Sequence, residues 1–268
     1  PWTFAYANAS TSNSFRIFST AALLWEEQNY PGLLNEMLYT NVLEMLDLAG
    51  VPLHAAERGD DDPIVVGGGP CAFEPEPMAD YFDAFILGDG EEAAPALVES
   101  LLAGRGRPRR ERLYKVATDV PGAYVPSFYD VHYNADGTVA AVEPNESGIP
   151  AHVNAAVVHD FDAAPFPTRP VVPYVDTVHD RITLEIMRGC VRGCRFCHAG
   201  LTRRPARFRS VDTLMRQAWE SYRATGYDEI AISSLSSSDH PHLRELLQRL
   251  CDEFMPLRVN VSLSSLRV

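Results

Sequence analysis

Apolar residues recur along this chain at two periods, and their alternation separates helices from short strands. Val42, Leu43, Met45, Leu46 and Leu48-Ala49 return at helical spacing, and Gly50 marks the end of that helix. After the turn Asp60-Asp61-Asp62-Pro63, the unbroken run Ile64-Val65-Val66 predicts a buried strand ending in Gly67-Gly68-Gly69. A second run, Ala84-Phe85-Ile86-Leu87, ends in Gly88-Asp89-Gly90. Glu91-Glu92 then opens a helix to about Leu102, with its acids at the positive end of the helix dipole. Strand, glycine turn and helix in this order predict an α/β fold, with a doubly wound, Rossmann-like domain over residues 1–107. Within residues 1–38 the one pattern is a short helix from Ala21 to Glu27.

The pattern then changes. Arg105 to Arg112 reads as a basic linker, and residues 113–143 read as short antiparallel strands. Asn134-Ala135-Asp136-Gly137 is the predicted hairpin turn between strands at 129–133 and 138–142. Pro144, Pro150, Pro165, Pro167, Pro170 and Pro173 predict an extended path, so residues 108–180 form a small β-rich connector. A second βα series fills residues 181–268. It has strands at 182–186, 227–233 and 257–263, a helix at 211–225 between a Ser210 cap and Gly226, and a helix at 241–254 capped by Asp239 or His240. That order predicts the start of a parallel (β/α) barrel, whose chemistry lies at the carboxyl ends of its strands.

Composition narrows the class. The chain has 268 residues, 46% hydrophobic and 22% charged, which suits a soluble globular protein of about two domains. No apolar run approaches the roughly 18–20 residues of a membrane span, so no membrane association and a reducing, cytoplasmic location are expected. The chain opens at Pro1-Trp2 without a methionine and stops at Arg267-Val268 inside a predicted strand, and is expected to be a fragment of a longer protein. A net charge of −13 argues against general affinity for nucleic acid. Residues 181–209 depart from it, with eight arginines against the single acid Glu185. This basic rim suits an anionic substrate, an acidic electron donor or RNA; the alternative is that its arginines pair with the acidic first domain.

The sharpest feature lies in the same stretch. Cys190, Cys194 and Cys197 stand in the spacing C-x-x-x-C-x-x-C directly after the first strand of the second series. Three thiolates on one loop supply three corners of a cubane iron–sulfur cluster, and the fourth iron stays open to another ligand. A Cys3His zinc site with His198 is the rival reading, although zinc knuckles come in separated pairs and Cys71 and Cys251 are isolated. Five cysteines, sparse and odd in number, do not make a disulfide framework.

The cysteine run, with the aromatic Phe196 before its last cysteine, resembles that of radical S-adenosylmethionine enzymes. The resemblance continues in Gly67-Gly68-Gly69-Pro70-Cys71-Ala72-Phe73 with residues 80–92, in Val178-His179-Asp180-Arg181-Ile182, and in residues 262–268. Over residues 38–268 it points to an uncharacterised branch with an N-terminal cobalamin-binding-like domain. It implies a [4Fe-4S] cluster on Cys190, Cys194 and Cys197, with S-adenosylmethionine chelated to the open iron and cleaved reductively to a 5′-deoxyadenosyl radical. Phe196 would lie near the adenine, with a plain core aromatic as the alternative. Where the family has a glycine/acid motif after its second strand, this chain has Ser233-Ser234-Leu235-Ser236-Ser237-Ser238-Asp239. Ser233, Ser234, Ser236 and Asp239 would contact the cofactor there, or Asp239 would merely cap the next helix. Ser262 and Arg267 point weakly to the same end.

For cobalamin, Gly67, Gly68 and Gly69 would line a nucleotide-tail groove, or simply make a tight turn. Asp130-Val131-His132-Tyr133-Asn134-Ala135 imitates the cobalt-ligating D-x-H-x-x-G loop but lacks its glycine and lies after the glycine turn, so His132 reads as a strand residue and cobalamin is disfavoured. The resemblance further implies a small electron donor such as flavodoxin or ferredoxin. Methyl transfer, or an RNA modification like methylthiolation, is the reaction expected. A structural cluster or zinc in a binding or regulatory protein is the alternative without catalysis.

Overall fold

The computed structural model describes residues 39–173 and 180–266, and its contacts divide into two compact units that meet at Val157 and Val158. The helix expected at 21–27, the segment Val178-His179 and Arg267 lie outside the described residues.

In the first unit, helix α1 (Tyr39–Leu48) buries Val42 and Leu46, and Gly50 ends it at a φ of 65°. Strands β1 (Val66–Gly68) and β2 (Ala84–Ile86) run parallel, as the two apolar runs require. Helix α2 (Gly90–Ala103) buries Ala93, Leu97 and Leu101, one residue per turn. The chain then departs from expectation. Where a linker and strands were expected, residues 109–119 form helix α3 (Arg109–Asp119), with Arg109, Leu113, Val116 and Ala117 buried. Their i, i+4, i+7, i+8 spacing is helical, but Arg107 to Arg112 obscures its first turn because the inward residue there is an arginine. Strand β3 (Ala123–Tyr124) pairs antiparallel with β2, giving a mixed sheet in the order β1-β2-β3. The hairpin of β4 (Tyr129–Tyr133) and β5 (Val139–Pro144) stands where the turn residues placed it, with Gly137 at a φ of 84°.

An ion triad closes this unit. The Asp83 carboxylate is buried and accepts from Arg58 Nη1 at 2.9 Å, from Arg109 Nη2 at 2.8 Å and from the Val65 backbone N–H at 2.7 Å. Arg58 also donates to the carbonyls of Pro52, Leu53 and Tyr81, and Arg109 to those of Gly59, Asp62 and Pro63. The two guanidinium groups thus satisfy carbonyls on irregular loops that have no strand partner. Burial pulls the Arg58 pKa down, and Asp83 opposes that pull.

In the second unit, β6 (Ile182–Glu185), β9 (Glu229–Ser233) and β10 (Asn260–Leu263) form a wholly parallel sheet in the order β10-β9-β6. Between β6 and β9 lie the two short strands β7 (Met187–Arg188) and β8 (Arg207–Phe208), paired antiparallel, with helix α4 (Ala199–Thr202) inside the loop they enclose. Helix α5 (Val211–Thr225) follows, its Ser210 cap accepting from Thr213 N–H and Gly226 left-handed at its end. Helix α6 (Leu243–Phe254) starts two residues later than expected and is preceded by His242. Ile182, Leu184, Ile230 and Ile232 meet Leu214, Ala218, Leu246, Leu250 and Phe254 in the core. The observed architecture is mixed α/β with a parallel sheet.

The described residues 145–173 ahead of β6 form no helix or strand, but they contribute to packing. Phe161 is 2% exposed, and the guanidinium carbons of Arg209 and Arg188 lie 4.2 and 4.8 Å from its ring centroid. Asp162 accepts from Ser210 N–H and hydroxyl and from the Thr213 hydroxyl. Burial alone would raise its pKa, yet these hydrogen bonds bring it below the usual carboxylate value.

Candidate iron–sulfur site

The cysteine loop leaves the carboxyl end of the β6 region and is pinned at its base by the β7–β8 pair. Ile186 N–H donates to Ser233 O at 3.1 Å and Arg209 N–H to Ile186 O at 3.0 Å, which fixes the exit beside the end of β9. Gly189, immediately before the first cysteine, has a φ of 83°, and a Cβ there would fall 2.4 Å from Arg203 O and 2.7 Å from Pro205 O. Only glycine lets the outgoing and returning arms pass this closely.

Cys190, Cys194 and Cys197 are not disulfide-bonded, and all three are half-buried. Arg192 N–H lies 3.4 Å from Cys190 Sγ and Gly200 N–H lies 3.3 Å from Cys197 Sγ, so backbone donors face two of the three sulfurs. Cys197 N–H donates to Cys194 O at 3.1 Å and folds the last two cysteines onto one turn. A Cβ on Gly200 would meet Cys197 Sγ at 3.4 Å, so this position keeps space beside the sulfur. Thiolates that receive backbone N–H donors and keep an open flank fit an iron–sulfur cluster, whose sulfur ligands are stabilised by such hydrogen bonds. Among the described residues no three His, Cys, Asp or Glu side chains gather tightly enough for a single metal ion. A four-iron cluster spreads its cysteines over separate irons. His198 heads α4 with its carbonyl accepting from Leu201 and Thr202 N–H.

Phe196 is 92% exposed, which removes the core-aromatic alternative. The serine turn after β9 is tightly knotted. Ser236 hydroxyl donates to Asp239 at 2.8 Å, the Ser234 and Ser237 hydroxyls lie 2.8 Å apart, and Ser237 hydroxyl reaches Ser264 O at 2.8 Å. Ser233 closes β9 with its carbonyl engaged by Ile186. Asp239 does not cap α6; its carboxylate grips Arg192 instead. Ser262 hydroxyl is turned to Glu229 at 2.7 Å. His240 is buried, its Nδ1 accepting from His242 N–H and its Nε2 3.1 Å from Arg209 O, and burial lowers its pKa so that the neutral ring fits.

Most of the basic rim is used internally. Arg181 pairs with Glu229, Arg188 with Glu185 and Arg192 with Asp239, while Arg207 and Arg209 are buried and donate to the carbonyls of Val158, Asp162 and Ala164. These arginines pair with carboxylates and carbonyls of their own unit, and Arg195 and Arg204 remain exposed. The residues that sequence reasoning missed are Gly189, Arg192 and Phe161. Gly189 precedes Cys190 in plain view, whereas the partners of Arg192 and Phe161 are distant in sequence.

The glycine turn of the first unit serves its own packing. A Cβ on Gly67 would sit 2.7 Å from the Phe85 ring, and one on Gly88 would sit 2.2 Å from Ala156 O, where residue 156 bridges the end of β2. Gly68 is more open, a Cβ there meeting only Ile86 O at 3.8 Å. His132 Nε2 lies 3.5 Å from Glu143 on the exposed hairpin, in keeping with a strand residue.

Comparison with known proteins gives concordant results. Residues 32–126 match the family model described as radical SAM proteins, N-terminal, and residues 184–268 match that of the radical SAM superfamily. The uncharacterized protein MJ0966 of Methanocaldococcus jannaschii is 29% identical over 211 residues, covering 78% of this chain and 39% of that protein. Two structures of the radical S-adenosylmethionine methyltransferase TsrM from Kitasatospora setae are similar at a TM-score of 0.47. One, with cobalamin and a [4Fe-4S] cluster bound, is 16% identical and covers 84% of this chain and 40% of that one. The other, with tryptophan and a SAM analogue, is 15% identical, with 84% and 39% covered. The chain thus spans about two fifths of the length of each of these relatives. The chain thus contains one region matching the radical SAM N-terminal model and a second matching the radical SAM superfamily model.

Proposed function

We propose that this protein is a radical SAM enzyme in which Cys190, Cys194 and Cys197 hold a [4Fe-4S] cluster that cleaves S-adenosylmethionine reductively. The observation that carries the reading is the cysteine loop itself, with three cysteines outside any disulfide beyond the carboxyl end of β6 and backbone N–H groups facing two of them. We read the parallel β6-β9-β10 sheet as the opening of a (β/α) barrel, and the first unit as a Rossmann-like domain. Held by Cys190, Cys194 and Cys197, such a cluster would supply one-electron reductive cleavage of S-adenosylmethionine. The electron comes from a small donor of the flavodoxin or ferredoxin class.

The chain's own residues bind and orient. Gly189 lets the loop reverse, the β7–β8 pair fixes its base, and exposed Phe196 offers a ring face to the adenine. Ser233, Ser234, Ser236 and Asp239 form the adjoining wall, with Asp239 already held by Arg192. The final substrate follows less directly. An RNA substrate has fewer arginines to bind it than the sequence suggested. Among the described residues no helix is long and apolar enough to cross a membrane.

Incubating the anaerobically reconstituted full chain with dithionite and S-adenosylmethionine tests the proposal. It predicts 5′-deoxyadenosine and methionine in equal amounts; a cluster-loaded protein that forms neither would contradict it.

A further inference from the structure

One residue between the first two cysteines reaches out of their loop. We infer that Arg192 and Asp239 form a latch that positions the cysteine loop against the turn after β9. The inference rests on the cluster reading and adds two positioning residues to it.

Arg192 makes three kinds of contact at once. Its N–H faces Cys190 Sγ at 3.4 Å, its carbonyl accepts from Arg204 Nη2 at 3.2 Å, and its guanidinium forks onto Asp239. The fork is bidentate: Nε donates to Oδ2 at 2.8 Å and Nη2 to Oδ1. The Asp239 side chain is 8% exposed and that of Arg192 50%, so the carboxylate end is shielded from solvent while the arginine enters from the loop side.

The carboxylate is itself anchored. Oδ2 takes a hydrogen bond from Ser236, and the turn is tied to the end of β10 through Ser237 N–H to Ser265 O at 3.1 Å and Ser237 hydroxyl to Ser264 O at 2.8 Å. Ser264 hydroxyl returns to Ile232 O at 2.7 Å on β9. Position is therefore passed from the ends of two strands through Asp239 and Arg192 to the sulfur of Cys190. A planar fork is suited to this because it fixes direction as well as distance. The charges of the pair also cancel beside the thiolates, so removing either partner leaves one charge of known sign near the cluster.

The test uses the full chain reconstituted anaerobically as wild type, Arg192→Gln and Asp239→Asn, with iron loss to a chelator and the cluster midpoint potential as readouts. Both variants are expected to lose iron roughly tenfold faster, as for other partners that orient metal ligands. The potential should move positive in Asp239→Asn and negative in Arg192→Gln. Iron loss at the wild-type rate in both variants, or shifts of the same sign, would overturn the latch. A wild-type protein that assembles no iron–sulfur cluster would instead refute the proposed function, so the two failures are told apart.

Discussion

Cys194→Ala is expected to abolish cluster assembly, while Cys71→Ala and Cys251→Ala assemble it as the wild type does. The wild-type chain should carry about four irons after anaerobic reconstitution, and Cys190→Ala and Cys197→Ala should fail as Cys194→Ala does. In the proposed cluster each loop thiol would hold a separate iron, so no neighbour could replace a missing one. Cys71 lies in the 3-10 turn Pro70–Phe73 of the first unit and Cys251 on α6, away from the loop in sequence and in secondary structure. Iron and sulfide analysis with the visible absorption spectrum measures the outcome. Equal loss in all five single variants would show that the thiols act through general stability and not as ligands.

The second large effect lies in the first unit. Asp83→Ala should destabilise it by about 3–5 kcal/mol, the range found when one partner of a buried ion pair is removed. Arg58 and Arg109 would then be left buried without their shared carboxylate, and Val65 N–H would lose its acceptor. Because 1.36 kcal/mol corresponds to a factor of ten, hydrogen exchange in α3 should quicken by on the order of 10²–10³-fold or more. Arg107→Ala is the control, since its ion pair with Glu111 is long and exposed at both ends, and such pairs contribute ~0–1 kcal/mol. An Asp83→Ala protein exchanging at the wild-type rate would remove the triad from the account of this unit's stability.

How far the sequence revealed the fold depended on whether the inward-facing residues were apolar. Helices α1, α2 and α5 were legible because Val42, Leu46, Leu97, Leu101, Leu214 and Ala218 repeat at helical spacing between recognisable ends. Helix α3 was not, because its first inward residue is Arg109, whose burial depends on Asp83 far away in sequence. The strand ends at Ser233 and Leu263 were located correctly, but their starts were placed too early, since Tyr227 and Leu257 are apolar without joining a ladder. At the site, the three cysteines were legible from spacing alone. The arginines around them were visible only as net positive charge. Their assignment to Glu185, Glu229, Asp239 and the Phe161 segment required coordinates, because composition cannot say which charges face one another. Asp239 illustrates this best: in sequence it stands where a helix cap belongs, and in the structure it belongs to the cysteine loop.

Electron paramagnetic resonance of the reduced protein, recorded with and without S-adenosylmethionine, tests the central claim most directly. If three cysteines leave one iron open to the cofactor, its addition changes the g-values of the reduced cluster, and nitrogen-labelled cofactor produces a new hyperfine coupling. A reduced cluster whose spectrum is unaltered by the cofactor and shows no such coupling would contradict the claim.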